Sequence, residues 1–307
     1  MKHRQFFVVT ISSVLVATVV GGVMIHVAAR RADITPLVRT EPENILVDPQ
    51  WVSERLGRIT VLDYGRNPEA FAAGHIPSAA FVPRAAAWET IDGIEGMLPT
   101  VAAVVADLRA AGVRNDQPVV VYDGGNGLWS SRLFWALEYL GHQKVHLLDG
   151  GVSAWEREGF PIAHDVTWPE EGDFEARVQP RLIADTPFIL DQLSDSAASL
   201  TVIDARSPAE FAGEDLRAER GGHIPGSVNI DWVENMSTAG LFLTFQELAD
   251  LYRDVSDADG DIVTLCQTGV RGAHTYVVLR VLGVERARVY DGSWAEWGNR
   301  SDVPIEL

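Results

Sequence analysis

Short aliphatic runs bounded by turn residues recur along the chain and alternate with segments of helical periodicity. Val61-Leu62-Asp63, Val119-Val120-Val121-Tyr122, Val202-Ile203-Asp204 and Ile262-Val263-Thr264-Leu265 read as buried strands. Thr100 to Ala111 and Gly272 to Leu282 carry helical patterns. The alternation predicts an α/β fold, a mostly parallel sheet flanked by helices. The N-terminus breaks the pattern: Gln5 to Ala29 contains no Lys, Arg, Asp or Glu, which predicts a hydrophobic helix ahead of the body, long enough to span a bilayer.

The strand and turn pattern occurs twice. Val61-Leu62-Asp63, Phe71 and Gly74-His75-Ile76-Pro77 reappear as Val202-Ile203-Asp204, Phe211 and Gly222-His223-Ile224-Pro225. Val119 to Asp123 pairs with Ile262 to Cys266, and Leu148-Asp149-Gly150-Gly151-Val152-Ser153-Ala154-Trp155 with Tyr290-Asp291-Gly292-Ser293-Trp294. The chain therefore divides into an N-terminal segment (1–32), two like domains (33–165 and 179–307) and a linker (166–178). Pro169, Glu170-Glu171 and Gly172 interrupt any periodicity in that linker.

Cys266 is the only cysteine. It closes a hydrophobic strand and opens a short loop, Cys266-Gln267-Thr268-Gly269-Val270-Arg271, ahead of a helical segment. Converging backbone N–H groups and a helix N-terminus favour an anion there, and such surroundings lower a cysteine pKa from near 8.5 to roughly 3.5–7.5. The expectation is a reactive thiol. In the first half the equivalent residue is Asp123, which accepts no sulfur and repels an anionic donor, so that half is expected to be catalytically silent. Its loop, Asp123-Gly124-Gly125-Asn126-Gly127, lacks the Gly-Lys-Ser/Thr ending of a phosphate loop. His75 and His223 occur in both halves and read as structural turn residues, while Trp294 and Trp297 read as core.

Four motifs in order carry a family resemblance: Val202-Ile203-Asp204-Ala205-Arg206, Gly221 to Ile230, the Leu265 to Arg271 loop with His274-Thr275-Tyr276, and Val289 to Trp297. Together they resemble the tandem-domain rhodaneses, the thiosulfate sulfurtransferases, over nearly everything after the N-terminal segment. The resemblance implies an enzyme that moves the sulfane sulfur of thiosulfate to cyanide or a thiol through a persulfide on Cys266, with neither metal nor organic cofactor. It implies a substrate loop of Gln267, Thr268, Gly269, Val270 and Arg271, with Arg271 the main cation, and Asp204 and Arg206 bracing it. For Asp204 and Arg206 a weak surface ion pair is an equal alternative.

Competing functions are weighed residue by residue. A mercaptopyruvate sulfurtransferase is expected to carry arginine where this chain has Glu210, a side chain that opposes a carboxylate substrate, although Arg217 or Arg220 offers compensation. A phosphatase on this fold needs five residues between Cys and Arg, and here Gln267 to Val270 gives four. A low-turnover persulfide carrier in a periplasmic thiol pathway is the third alternative.

A formal charge of −18 argues against nucleic acid and anionic lipid as partners. One cysteine allows no intrachain disulfide, and no Cys/His cluster has zinc spacing. Lys2 and Arg4 precede the apolar N-terminal stretch and Val27-Ala28-Ala29 follows, the pattern of an export signal, but the run is longer than a usual cleaved core. The body is expected in the periplasm of a Gram-negative-like cell, released after cleavage or anchored to the inner membrane by the N-terminal helix. Membrane contact is expected only through that segment.

Overall fold

The computed structural model describes residues 45–166, 168–195 and 199–307. The expected N-terminal helix, with its signal or anchor role, lies outside them. Among the described residues no helix is long and apolar enough to cross a membrane.

Two five-stranded sheets form the body. The first contains β1 (Leu46–Val47), β2 (Thr60–Tyr64) and β3 (Ala80–Val82); a separate hairpin, β4 (Glu89–Ile91) and β5 (Ile94–Met97), precedes its β6 (Val119–Tyr122) and β7 (Val145–Leu148). The second contains β8 (Ile183–Ala184), β9 (Leu200–Asp204), β10 (Val228–Asn229), β11 (Asp261–Leu265) and β12 (Ala287–Tyr290). The orders are β1-β7-β6-β2-β3 and β10-β9-β11-β12-β8, and every pairing within them is parallel. These are one order read twice, since β6 and β11 each occupy the centre of their sheet. Val119 to Tyr122 is buried throughout, as is Ile262 to Leu265, which explains why both read as unbroken apolar runs.

Helices cover the faces. The Leu128–Tyr139 and Val270–Val281 helices, equivalent by duplication, pack on each other and bury residues all round, so neither shows a polar stripe. Their contact fuses the two halves into a shared core that includes Phe134, Leu137, Val277 and Tyr276. Charge is buried there too: Glu138 accepts from Tyr276 Oη at 2.6 Å and from Arg280 Nε at 3.2 Å.

The linker is not free chain. Gly172 N donates to Arg109 O at 2.8 Å, Phe174 N to Val113 O at 3.2 Å, and Arg177 N to Leu140 O at 2.8 Å, with Phe174 buried. Those bonds replace the secondary structure that its proline and glycine deny it.

Both family histidines are turn fasteners. His75 Nδ1 bonds Phe71 O and His223 Nδ1 bonds Phe211 O, each at 3.0 Å, and each ring stacks on that phenylalanine. Trp294 and Trp297 are buried core residues whose indole N–H groups donate to Arg220 O and Pro304 O.

Candidate active site

β11 delivers Cys266 to the carboxyl end of the sheet, where the thiol is 1% exposed. Gly269 then turns the chain with φ +76°, a left-handed conformation that suits glycine, and the Val270–Val281 helix begins. The first intrahelical closure is Ala273 N to Gly269 O at 3.0 Å, so the N–H groups of Val270, Arg271 and Gly272 have no acceptor within the helix.

The first half shows what such a loop holds. There Asp123 Oδ1 accepts from Gly125 N at 2.9 Å and Gly127 N at 3.2 Å. Its Oδ2 accepts from Trp129 N at 3.0 Å, Ser130 N at 3.2 Å and Ser130 Oγ at 3.3 Å. Gly127, Trp129 and Ser130 correspond to Gly269, Arg271 and Gly272. The nest is an anion cradle, and Asp123 fills it with the chain's own carboxylate.

Around Cys266 the supports are polar and buried. Cys266 N donates to Ser293 Oγ at 3.3 Å, Ser293 Oγ donates to Tyr290 O at 2.8 Å, and Trp294 N donates to Cys266 O at 2.9 Å. Ser293 sits at φ +48° where the first half has Gly151 at +53°. Sequence reasoning missed it, although serine replacing glycine in the repeat was the available signal.

Asp204 and Arg206 are fully buried, so the pair is not a surface one. Arg206 Nε lies 3.0 Å from both Asp204 carboxylate oxygens and Nη2 2.6 Å from Oδ2; Nη2 also donates to Gly222 O at 2.8 Å. The guanidinium lies 4.2 Å from the Trp294 ring centre, and Ala205 N donates to Leu265 O at 2.9 Å, which ties the pair to the Cys266 strand. In the first half Arg66 reaches Asp63 at 2.7 Å and Gly74 O at 2.8 Å, the same brace from one position further on.

Arg271 differs from the free cation expected of it. Its Nη1 donates to Glu210 Oε2 at 2.6 Å and its Nη2 to Oε1 at 2.8 Å, a two-point fork with a carboxylate from the short helix after the neighbouring β9. Burial raises the Glu210 pKa, but the Arg271 hydrogen bonds and charge outweigh it and hold the carboxyl at about 2. Arg217, half exposed, reaches the same carboxylate with one contact at 3.2 Å. Gln267 Nε2 donates to Arg217 O at 2.9 Å, which joins the loop to this cation. Val270 is buried, so its side chain belongs to the core. Thr268 packs under the first half's hairpin, where any side chain at Gly96 would strike Thr268 O.

Among the described residues no cluster of His, Cys, Asp and Glu is arranged to hold a metal ion. The constellation offers one buried sulfur, a ring of N–H donors and a guarded pair of arginines, which suits transfer of an atom through an anionic sulfur intermediate.

Comparison with known proteins agrees. The rhodanese-like domain family matches residues 48–158 and again 187–300. The chain is 34% identical to a thiosulfate sulfurtransferase of Pseudomonas aeruginosa, covering 86% of this chain and 97% of that protein. It is 33% identical to a 3-mercaptopyruvate sulfurtransferase of Escherichia coli, covering 78% and 85%. The crystal structure of a 3-mercaptopyruvate sulfotransferase from Escherichia coli superposes with a TM-score of 0.71 at 28% identity, over 82% of this chain and all of that one. With a family match over each half, the chain belongs to the rhodanese family as two rhodanese-like domains in tandem, and it is a sulfurtransferase.

Proposed function

We propose that the sulfur donor is thiosulfate and that Cys266 carries the sulfur. The Cys266 thiolate attacks the outer sulfur of thiosulfate; a sulfur–sulfur bond forms to Cys266, and the bond to the sulfonate sulfur breaks with its electron pair leaving on sulfite. The persulfide anion takes the place that Asp123 takes in the other half, under the N–H groups of the loop. Cyanide or a thiolate then attacks the terminal sulfur, and the thiolate returns as the leaving group.

The observation that carries the choice of donor is the Glu210–Arg271 fork. A substrate carboxylate would seek a two-point guanidinium partner, and Glu210 already holds that fork in a buried, short pair. Mercaptopyruvate must displace it, whereas a compact dianion needs only loop N–H groups and a single-point cation. Arg217, with one contact and a half-exposed side chain, is the cation available to the sulfonate end. Glu210 thus acts by occupying Arg271 rather than by simple repulsion.

Intact-protein mass spectrometry tests the reading. Thiosulfate should add one sulfur to the wild type and cyanide remove it; Cys266→Ser should show neither, and wild type should turn over thiosulfate faster than mercaptopyruvate. A serine variant that still transfers sulfur defeats the mechanism, and faster turnover of mercaptopyruvate defeats the choice of donor.

For location we infer export to the periplasm, supported by the uncharged stretch from Gln5 to Ala29 and its basic leader. A fusion of residues Met1 to Asp48 to a reporter that works only outside the cytoplasm should be active. A silent fusion overturns this.

A further inference from the structure

The silent half meets the Cys266 loop through a buried cation. Arg132, in the second turn of the Leu128–Tyr139 helix, is fully buried. Its Nε donates to Ala87 O at 2.8 Å; Nη2 donates to Gly96 O at 2.7 Å and to Asp291 Oδ1 at 2.6 Å, the last across to the catalytic half. The other oxygen of Asp291 accepts from Leu98 N at 2.8 Å, so that carboxylate is gripped twice by the silent half. Nη1 alone has no hydrogen-bond partner. It is aimed at the catalytic loop: a Cβ on Gly269 would stand 2.8 Å from it.

A buried polar group left unpaired costs about 1–3 kcal/mol, and more when charged. The loop that Nη1 faces is the one that gains negative charge, first as thiolate and then as persulfide. Duplication supplies the control. His274 holds the place of Arg132 in the other helix and comes near the silent loop, 3.8 Å from a Cβ on Gly127. Burial lowers the His274 pKa to about 3, so that loop, whose anion is already satisfied from within, faces a neutral ring. At the equivalent helix position, then, the glycine turn of the Cys266 loop faces a permanent cation and that of the Asp123 loop a neutral ring.

We propose that Arg132, supplied by the silent half, is a positioning residue for sulfur transfer: it buttresses Gly269 and keeps a fixed positive charge beside the loop that carries the sulfur anion. The other charged groups about the loop are Arg271, Glu210 and Arg217 and the mutually paired Asp204 and Arg206 from the catalytic half, and Asp291, which Arg132 itself neutralises. Arg132 touches no substrate, so its effect falls on the chemical step and not on donor binding.

The inference rests on Cys266 as the sulfur carrier, and wild-type loading measured alongside separates the two: without wild-type loading the carrier reading fails, not this one. Arg132→Met alone strands Asp291 in the interior, so the informative variant is Arg132→Met with Asp291→Asn, which removes both charges and leaves an acceptor for Leu98 N. Single-turnover loading with thiosulfate, followed by mass spectrometry, should slow at least tenfold at saturation, while the half-saturating concentration stays within twofold. Arg132→Lys retains a cation beside Asp291 and should recover at least threefold of that loss. A double variant that loads at the wild-type rate makes Arg132 a plain structural ion pair and overturns the proposal; so does a folded lysine variant no faster than the double.

Discussion

At the end of β6 a carboxylate, Asp123, accepts five hydrogen bonds from the loop that follows it; at the end of β11 the same kind of loop surrounds the thiol of Cys266. Aspartate places a charged oxygen two bonds from Cβ, and a cysteine persulfide places a charged sulfur there. On the proposed mechanism, the Asp123 loop is therefore an internal picture of the Cys266 loop once loaded. The loops differ where chemistry requires it. Asp123 has one more residue before its glycine turn than Cys266 has, Trp129 stands where Arg271 does, and Ala70 stands where Glu210 does. The first half holds its anion with four backbone N–H groups and one hydroxyl, and has neither a thiol nor a Glu210–Arg271 pair at the equivalent places.

Exchanging the two anions is the severest test of that view. Cys266→Asp should fold, with a Tm at or above wild type because the carboxylate satisfies the loop N–H groups, and should have no sulfurtransferase activity. Asp123→Cys combined with Cys266→Ser should be equally inactive, since its new thiol has neither the Glu210–Arg271 pair nor an Arg132 behind it. Cyanide-dependent turnover of thiosulfate by this second variant would show that the cradle alone suffices, and the comparison would collapse.

A smaller effect is expected at Arg271. Arg271→Ala should lower kcat/KM for thiosulfate by roughly one to two decades, the size of one opposed charge contact, about 1.5–3 kcal/mol. The fork makes the cause specific: the variant leaves Glu210 charged at the mouth without its main partner. Glu210→Gln in the same chain should then recover part of the loss. If the double change is no better than Arg271→Ala, the arginine acts on the donor directly and the guarding role of Glu210 is wrong.

The duplication, the strand-end place of Cys266 and the central strands were legible because each is written in a continuous stretch: a run of Val and Ile, a cysteine at its end, a glycine turn. Asp204 and Arg206 were legible as a pair and ambiguous in strength, because burial on both sides of a strand end is a property of the packed sheet. What stayed hidden is contact between distant stretches. Glu210 and Arg271 lie 61 residues apart, and from sequence Glu210 looked like bare negative charge. Arg132 and Asp291 lie 159 apart and in different halves. Nothing local marks Arg132 as a neighbour of Gly269, because a two-domain interface sets that distance. The N-terminal expectation, in contrast, rests on composition alone.

The last difference between the loops is electrostatic: Arg132 beside one, His274 beside the other. His274 Nδ1 faces Asn235 Nδ2 at 3.3 Å, and since Tyr252 Oη donates to Asn235 Oδ1 at 2.7 Å, the amide presents its N–H to the ring and the ring accepts. Protonating Nδ1 would break that arrangement in a fully buried site, which agrees with a pKa lowered to about 3 by burial. The unfolded chain binds this proton near pH 6.5, so between about pH 6.5 and 3 the unfolded state takes up more protons than the native one and acid destabilises. At pH 5 the loss relative to neutral pH is about 2 kcal/mol from this residue. Asp63 works the other way, since burial lifts it to about 6 against the pull of Arg66 and acidification from there to 3.8 favours the folded state. The two opposing terms flatten the wild-type profile, and a single Tm curve will not reveal either. The difference curve will: His274→Gln keeps a hydrogen-bonding side chain without a titrating ring, and its Tm should fall several degrees less than that of wild type between pH 8 and pH 5. Parallel Tm curves would mean that the native ring takes up its proton as readily as the unfolded one, so that below about pH 6.5 both loops have a cation beside them.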